Sequence, residues 1–217
     1  MNLIGITTST SEGSVAVALD DLHLEEAVFT RETEHARRLA PALRDMLVKA
    51  GVGARHMDAI GVDVGPGSYT GLRVGIATAQ MVAMAFGAAL IGVSSLDAIA
   101  QAIPPEADRL CAMLDARWGK VYACLYRPAK SGWERDGEPF LARVENVLDK
   151  IDGRTAVTGT GLEQHEEAVR KRTPRIATKE LWHPRAARVA SIARTRFNAG
   201  ERDLPEKLMP VYCVGDK

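Results

Sequence analysis

The run GPGSYT at 65–70 carries the residue types from which phosphate cradles are built: glycines that leave backbone N–H groups bare, then hydroxyls heading an apolar segment. An anion there would meet Gly65, Gly67 and Ser68, with a helix N-terminus supplying positive potential. The spacing is not that of a P-loop, which needs GxxxxGK[ST]. Nor is it GxGxxG, because Thr70 occupies the third position and Gly71 comes one place late. A tight packing turn is the other reading, and the residues alone leave both open. Hydroxyls recur in TTSTSEGS at 7–14, where Thr8 and Ser9 could face the same anion. Metal chemistry lacks its spacings: His23, His35, His56, His165 and His183 are scattered, with no HxxxH or HExxH pair. His35 reads as a helix-start residue meeting solvent or a neighbouring loop. No serine lies in GxSxG, so a nucleophile elbow is missing. Asp115 and Arg117 flank a turn beside Trp118, where a turn-stabilising ion pair and a cleft-facing contact are the alternatives. Cys124 reads as a core residue on a strand. Arg170, Lys171, Arg172, Arg175, Arg185, Arg188, Arg194 and Arg196 form a basic segment, either a solvated face or a contact for RNA phosphates.

These groups need elements to hold them. Residues 59–64 predict a buried strand, 70–86 a helix with Ser68 or Thr70 as N-cap, and Gly87 its C′ residue before another short strand. The helix is apolar nearly all round. Leu72, Ile76, Ala79, Ala83 and Phe86 line one face; Val74, Ala77, Met81, Met84 and Ala85 line the opposite one. One sheet covers one side, so the other calls for a second cover. A helix at 33–50 is capped by Thr33, carries Glu34 in its first turn, and closes at Gly51 and Gly53. Its stripe is Ala36, Leu39, Ala40, Leu43, Met46, Leu47 and Ala50, with Pro41 either kinking it or marking its start. Small residues such as Gly75 and Ala79 permit close helix approach. Two such helices meeting a like pair from another chain would form a four-helix bundle. The expected partner-binding set is Leu39, Leu43, Met46, Leu47, Leu72, Gly75, Ile76, Ala79, Val82 and Ala83. An ordinary buried core is the plain alternative. On the partner reading, Ala79→Arg or Leu43→Asp abolishes dimerisation while the fold survives.

Strands are expected from Leu3 to Ile6, then at 14–19 and 23–30, with the first two forming a hairpin. A helix follows at 94–103, stopped by Pro104 and Pro105, which mark the expected boundary between lobes 1–103 and 104–217. Beyond it come strands at 110–115 and 120–127, a third near Phe140, a helix at 144–151, a strand at 156–158, a helix at 162–172, and a last helix with Pro184 in its first turn. The tail LMPVYCVGDK is apolar up to Val214 and is expected to pack. The order β-β-β-α-β-α-β-α, then a hairpin and mixed α/β elements, is the layout of the two-lobed actin, sugar-kinase and Hsp70 superfold. In nucleotide-using members, the first hairpin turn carries an Asp for the metal-bound nucleotide. Here Thr7 takes that place, and a neutral hydroxyl supplies no anionic oxygen for Mg²⁺. Phosphotransfer by this chain alone is therefore not expected.

Composition agrees with an ordinary globular protein: 217 residues, 46% apolar and 26% charged, with zero net charge. Bulk electrostatics thus give no reason for a nucleic-acid or anionic-membrane partner. The charge is uneven, with 7 basic and 11 acidic residues over 1–103, and 10 against 4 over 165–202. Three cysteines without a CxxC pair suit a reducing compartment and no structural zinc. No apolar run reaches the length of a membrane span, and a strand rather than a signal peptide follows Met1, so the cytoplasm is the expected location.

The run GPGSYTGLRVGIATAQMVA at 65–83 resembles the TsaB (YeaZ) family, once labelled glycoprotease-like or peptidase M22. It is joined by ITTSTSEGSVAVAL, EHARRLAPALRDML, VSSLDAIA and LDARWGKVYACLY. The likeness thins after residue 127 and returns at 159–161, 183–190 and in PEKLMPVY. It implies an actin-like (ASKHA, ribonuclease-H-like) α/β fold without catalysis of its own. The catalytic sister family carries a metal-binding HxxxH, whereas His35 is followed four places on by Leu39. The resemblance further implies a cytoplasmic subunit pairing with a catalytic, metal-bearing paralogue of the TsaD type and a small ATPase of the TsaE type. Together these would place threonylcarbamoyl on adenosine 37 of tRNA, with ATP or ADP and a metal ion in the assembled complex. Neither cofactor nor metal is expected on this chain, and tRNA is met only indirectly. Without its paralogue the chain would form a homodimer through the same helices. The family usually has Asp at position 7 and YLR in place of VYCVGDK. A stand-alone metallopeptidase or phosphotransferase is the alternative function.

Overall fold

The computed structural model describes residues 1–19, 23–30, 35–51 and 57–213. Thr33, Glu34, Gly53, His56 and the last four residues of the tail lie outside the described residues. The chain runs β1 (Leu3–Thr7), β2 (Glu12–Leu19), β3 (His23–Thr30), α1 (His35–Lys49), β4 (Ala59–Gly65), α2 (Tyr69–Phe86), β5 (Ala89–Ser94) and α3 (Ser95–Ala100). It continues through β6 (Arg109–Asp115), β7 (Lys120–Ala129), β8 (Gly132–Arg135), β9 (Phe140–Arg143), α4 (Val144–Leu148), β10 (Thr155–Thr158), α5 (Leu162–Arg170) and α6 (Ala186–Asn198).

Two compact units result: residues 1–98 with 184–211, and 99–183 with Tyr212 and Cys213. The boundary therefore differs from the expected break at Pro104 and Pro105. It falls earlier, and residues 184–211 return to the first unit. The cause is packing. In β1, alternate side chains point to opposite faces of the sheet. Ile4 and Ile6 join Val62, Leu39, Leu43, Ile76 and Ala79 on one side, while Leu3 joins Ala59, Ile91, Val93, Val189 and Ala193 on the other. The second side needs α6 as its cover. Close approach is possible because Gly5 and Gly61 face it: a Cβ on Gly5 would collide with the Ala186 carbonyl, and one on Gly61 would lie 2.7 Å from the Ala193 Cβ.

The first sheet has the order β3-β2-β1-β4-β5. β1 and β2 pair antiparallel, with Leu3 opposite Ala18 and Thr7 opposite Ser14. β1 and β4 pair parallel, with Leu3 beside Ala59 and Ile6 beside Val62. The second sheet has the order β10-β6-β7-β8, with β9 also on β7. Its parallel pair is β6 with β10, and its antiparallel pairs involve β7. The short polar β8 has no apolar alternation by which the residues alone would reveal it.

Several expected boundaries shift for local reasons. α3 ends at Ala100, and the chain tightens into i+3 bonds from Ala102 to Ile99 and from Ile103 to Ala100. Pro184 precedes the extended N-cap Arg185 and so lies outside the first turn of α6. α1 runs through Pro41, which is exposed, as is Arg37, whose carbonyl the missing N–H would have met. The tail is only partly packed: Val211 N–H donates to the Val64 carbonyl at 2.7 Å, but the Met209, Val211 and Tyr212 side chains are exposed.

Candidate functional site

Ser68, not Thr70, caps α2. Its hydroxyl accepts from Gly71 N–H at 3.1 Å, and its carbonyl accepts from Leu72 N–H at 2.9 Å. At the other end, Gly87 takes the left-handed conformation and donates to Ala83. The start of α2 lies directly on the hydroxyl loop after β1. Ser68 N–H donates to the Ser9 carbonyl at 2.7 Å, and the Thr8 hydroxyl donates to the Gly71 carbonyl at 2.7 Å. A Cβ on Gly67 would strike the Ser9 carbonyl, and one on Gly71 the Thr8 carbonyl. Gly65 is equally filled, facing the Val211 carbonyl and Leu72.

Under this turn lies a side chain the sequence reading passed over. Asp63, fully buried at the end of β4, accepts from the Thr7 hydroxyl at 2.5 Å, the Thr8 N–H at 3.2 Å and the Ser95 hydroxyl at 3.4 Å. Burial raises its pKa above the ordinary 3.8, while the donors from Thr7 and Thr8 act in the opposite sense. The only signal in the sequence was an acid inside an otherwise apolar strand, AIGVDVG. Its meaning required the pairing of β1 with β4, which sets Thr7 beside Asp63. A carboxylate therefore lies beside position 7, on the neighbouring strand and buried.

The N–H groups of Thr8, Ser68 and Gly71 are spent on the chain's own acceptors. Thr8, Ser9, Gly65, Gly67 and Ser68 come together, but as a turn closed by packing.

The ten residues expected at a partner surface separate into two groups. Leu39, Leu43, Met46, Leu72, Gly75, Ile76, Ala79 and Ala83 are buried by their own chain, most of them against the sheet. Gly75 faces the Thr8 hydroxyl. Charge at Ala79 or Leu43 would therefore strike the core, so Ala79→Arg and Leu43→Asp disrupt the fold rather than spare it. Leu47 and Val82 are only partly buried. With Leu43, Val48, Met81 and Phe86 they line an apolar groove of about 400 Å³ between α1 and α2. Val48, Met81 and Met84 are 75%, 65% and 74% exposed. The outward face is thus the second stripe of α2 together with the end of α1.

Other expected sites fall elsewhere. His35 is buried, edge-on to the Phe29 ring at a centroid distance of 5.4 Å, rather than turned to solvent. Cys124 is buried on β7, as a core residue should be. Asp115 does not form an ion pair across its turn; its Oδ1 accepts from the Arg117 backbone N–H at 3.1 Å. The basic segment divides between the two units, and Arg170, Arg172, Arg185 and Arg196 each pair with a carboxylate. Among the described residues, no three His, Cys, Asp or Glu side chains are grouped so as to hold a metal.

A five-stranded sheet of order 3-2-1-4-5 with helices on both faces, and a second sheet that repeats its first four positions, define the actin-like ATPase fold. The ethanolamine utilization protein EutJ from Carboxydothermus hydrogenoformans shares the fold, with a TM-score of 0.52 at 13% identity over 88% of this chain and 89% of that one. Nearer likeness is found with YeaZ from Pseudomonas aeruginosa, at a TM-score of 0.84 and 30% identity over 97% of this chain and all of that one. The family model described as TsaD, tRNA N6-adenosine threonylcarbamoyltransferase, matches residues 28–208. The tRNA threonylcarbamoyladenosine biosynthesis protein TsaB of Escherichia coli K12 is 30% identical over 98% of this chain and 94% of its own length. That of Haemophilus influenzae is 37% identical over 56% and 52%. The chain belongs to the TsaB (YeaZ) family.

Proposed function

We propose that this chain serves tRNA threonylcarbamoyladenosine biosynthesis as a non-catalytic subunit, docking the outer face of α1 and α2 onto a catalytic paralogue of the TsaD type. The observation that carries the reading is the exposed apolar face made by Val48 and Met81, which line the groove, and by Met84, one helical turn beyond Met81. Large apolar side chains clustered in this way mark an interaction surface rather than a solvated one. The same argument favours a homologous partner. A TsaD-family model matches this chain from residue 28 to 208, a span that includes both helices. A paralogue of that family would present a like pair, and two like pairs meet about a pseudo-twofold axis as a four-helix bundle. In the absence of the paralogue, a second copy takes its place. An ATPase of the TsaE type would complete the assembly, and transfer to adenosine 37 would take place on the paralogue, with its metal and nucleotide.

The test is the double variant Val48→Asp, Met84→Asp. Both positions are exposed, so the cost to the chain itself is confined to helix propensity and an acid in each last helical turn, about 1–2 kcal/mol in all, and the fold survives. Light scattering after size exclusion should show loss of the complex with the paralogue, and threonylcarbamoyl transfer to tRNA should fall with it. Assembly that persists at wild-type level would refute the reading.

A further inference from the structure

We propose that the turn between β6 and β7 is a direct RNA contact, in which Trp118 stacks on an unpaired base while Arg117, Lys120 and Arg143 meet the flanking phosphates. The choice of tRNA as the RNA rests on the function proposed above. Arg117 and Trp118 have φ of 64° and 52°, left-handed values that residues with a Cβ adopt at a cost. Such backbone persists only where its surroundings over-determine it. Here Asp115 accepts from Arg117 N–H, and Ala116 and Lys120 N–H groups bond across the turn at 3.0 Å each. Val144 N–H adds a bond to the Gly119 carbonyl at 3.1 Å. The result is a rigid support that holds an indole out into solvent, 89% exposed.

The contrast within the molecule is informative. Trp133 and Trp182 are buried, and their indole N–H groups donate to the carbonyls of Ile103 and Ala177. Phe140, Trp182 and Phe197 each have a cation of their own chain over the ring. Among the described residues, none covers Trp118 and no cation lies over its ring. Lys120 and Arg143 are directly opposite on β7 and β9, so two exposed cations share one face. Like charges in that position disfavour the sheet unless an anion comes between them. Among the described residues, no carboxylate forms an ion pair with the side chain of Arg117, Lys120 or Arg143. An aromatic plane beside three unpaired cations fits single-stranded RNA better than a protein surface, because it offers one stacking site and several phosphate contacts.

The test titrates an unmodified tRNA transcript into the full chain and follows tryptophan emission and RNA anisotropy. Stacking should quench the emission, since Trp118 is the exposed indole. Trp118→Ala should abolish the quench and weaken binding about 10-fold, whereas Trp118→Phe retains most of the affinity. Lys120→Glu with Arg143→Glu should flatten the dependence of log affinity on log salt by about 2. Equal affinity of wild type and Trp118→Ala for the transcript would overturn the proposal. So would a Trp118→Ala chain that binds RNA normally but no longer assembles with the catalytic paralogue, which would make the turn a protein contact. Wild-type assembly is measured alongside. Its failure counts against the docking reading, while intact assembly with RNA affinity unmoved by Trp118→Ala counts against the RNA contact alone.

Discussion

At the scale of single residues, Asp63 is the side chain with most at stake. A fully buried carboxylate is tolerated because Thr7, Thr8 and Ser95 donate to it, and its pKa is raised because those donors do not replace all of its hydration. The sign of the pH dependence follows. Above the ordinary value of 3.8 the unfolded chain has released this proton while the folded chain still holds it. The contribution of Asp63 to stability is therefore present below that value and is lost as pH rises through the folded pKa. Asp63→Asn stays neutral, and its amide can accept from Thr8 N–H while donating to a hydroxyl. Urea midpoints of the Asn variant should lack this fall with pH and exceed the wild type at the alkaline end. Asp63→Ala should instead lose about 1–3 kcal/mol, because it strands the Thr8 N–H. An Asn variant that tracks the wild-type slope would show that some other group titrates.

At the scale of elements, the start of α2 was legible where the signals were local and obscure where they were not. Gly87 as terminator and a cap at Ser68 or Thr70 could be read from type and spacing, because capping involves neighbours three or four residues away; the structure chose Ser68. The two apolar stripes of α2 were also visible. Which stripe faces inward was not, because that depends on where the sheet lies, and both stripes are equally greasy in the sequence. The ten expected partner residues came largely from the inward stripe for that reason. The hydroxyl loop shows the same limit: Thr8 and Ser9 were noticed, but their fit against Gly67 and Gly71 is a contact between distant segments. That contact makes a graded prediction. Ser68→Ala removes one cap acceptor and should cost about 1 kcal/mol. Gly71→Ala drives a methyl into the Thr8 carbonyl and should cost about 3 kcal/mol or more, since backbone offers no rotamer of escape. Equal thermal shifts for the two variants would mean that the loop yields to α2.

At the scale of the whole molecule, the sequence order revealed the repeated α/β design, yet the chain does not divide where its prolines do. The return of α6 to the first unit could not be read from periodicity, because a helix with a modest apolar stripe does not say which sheet it will cover. What directs it is complementarity of small residues: Gly5 and Gly61 on the sheet against Ala186, Ala190 and Ala193 on the helix. A β-branched or larger residue at either glycine would hold α6 away from Leu3, Ala59, Ile91 and Val93, the surface it keeps dry. The coupling is measurable across the length of the chain. Gly61→Ala places its Cβ 2.7 Å from that of Ala193 and should destabilise by about 1–3 kcal/mol. Ala193→Gly weakens α6 by about 1 kcal/mol through helix propensity, but it removes the obstructing methyl. The double variant should therefore be more stable than the sum of the two changes by about 1 kcal/mol, the signature of two sites in contact. Strict additivity in denaturant unfolding would mean that α6 is not seated on Gly61, and the first unit would then need another cover for that face of its sheet.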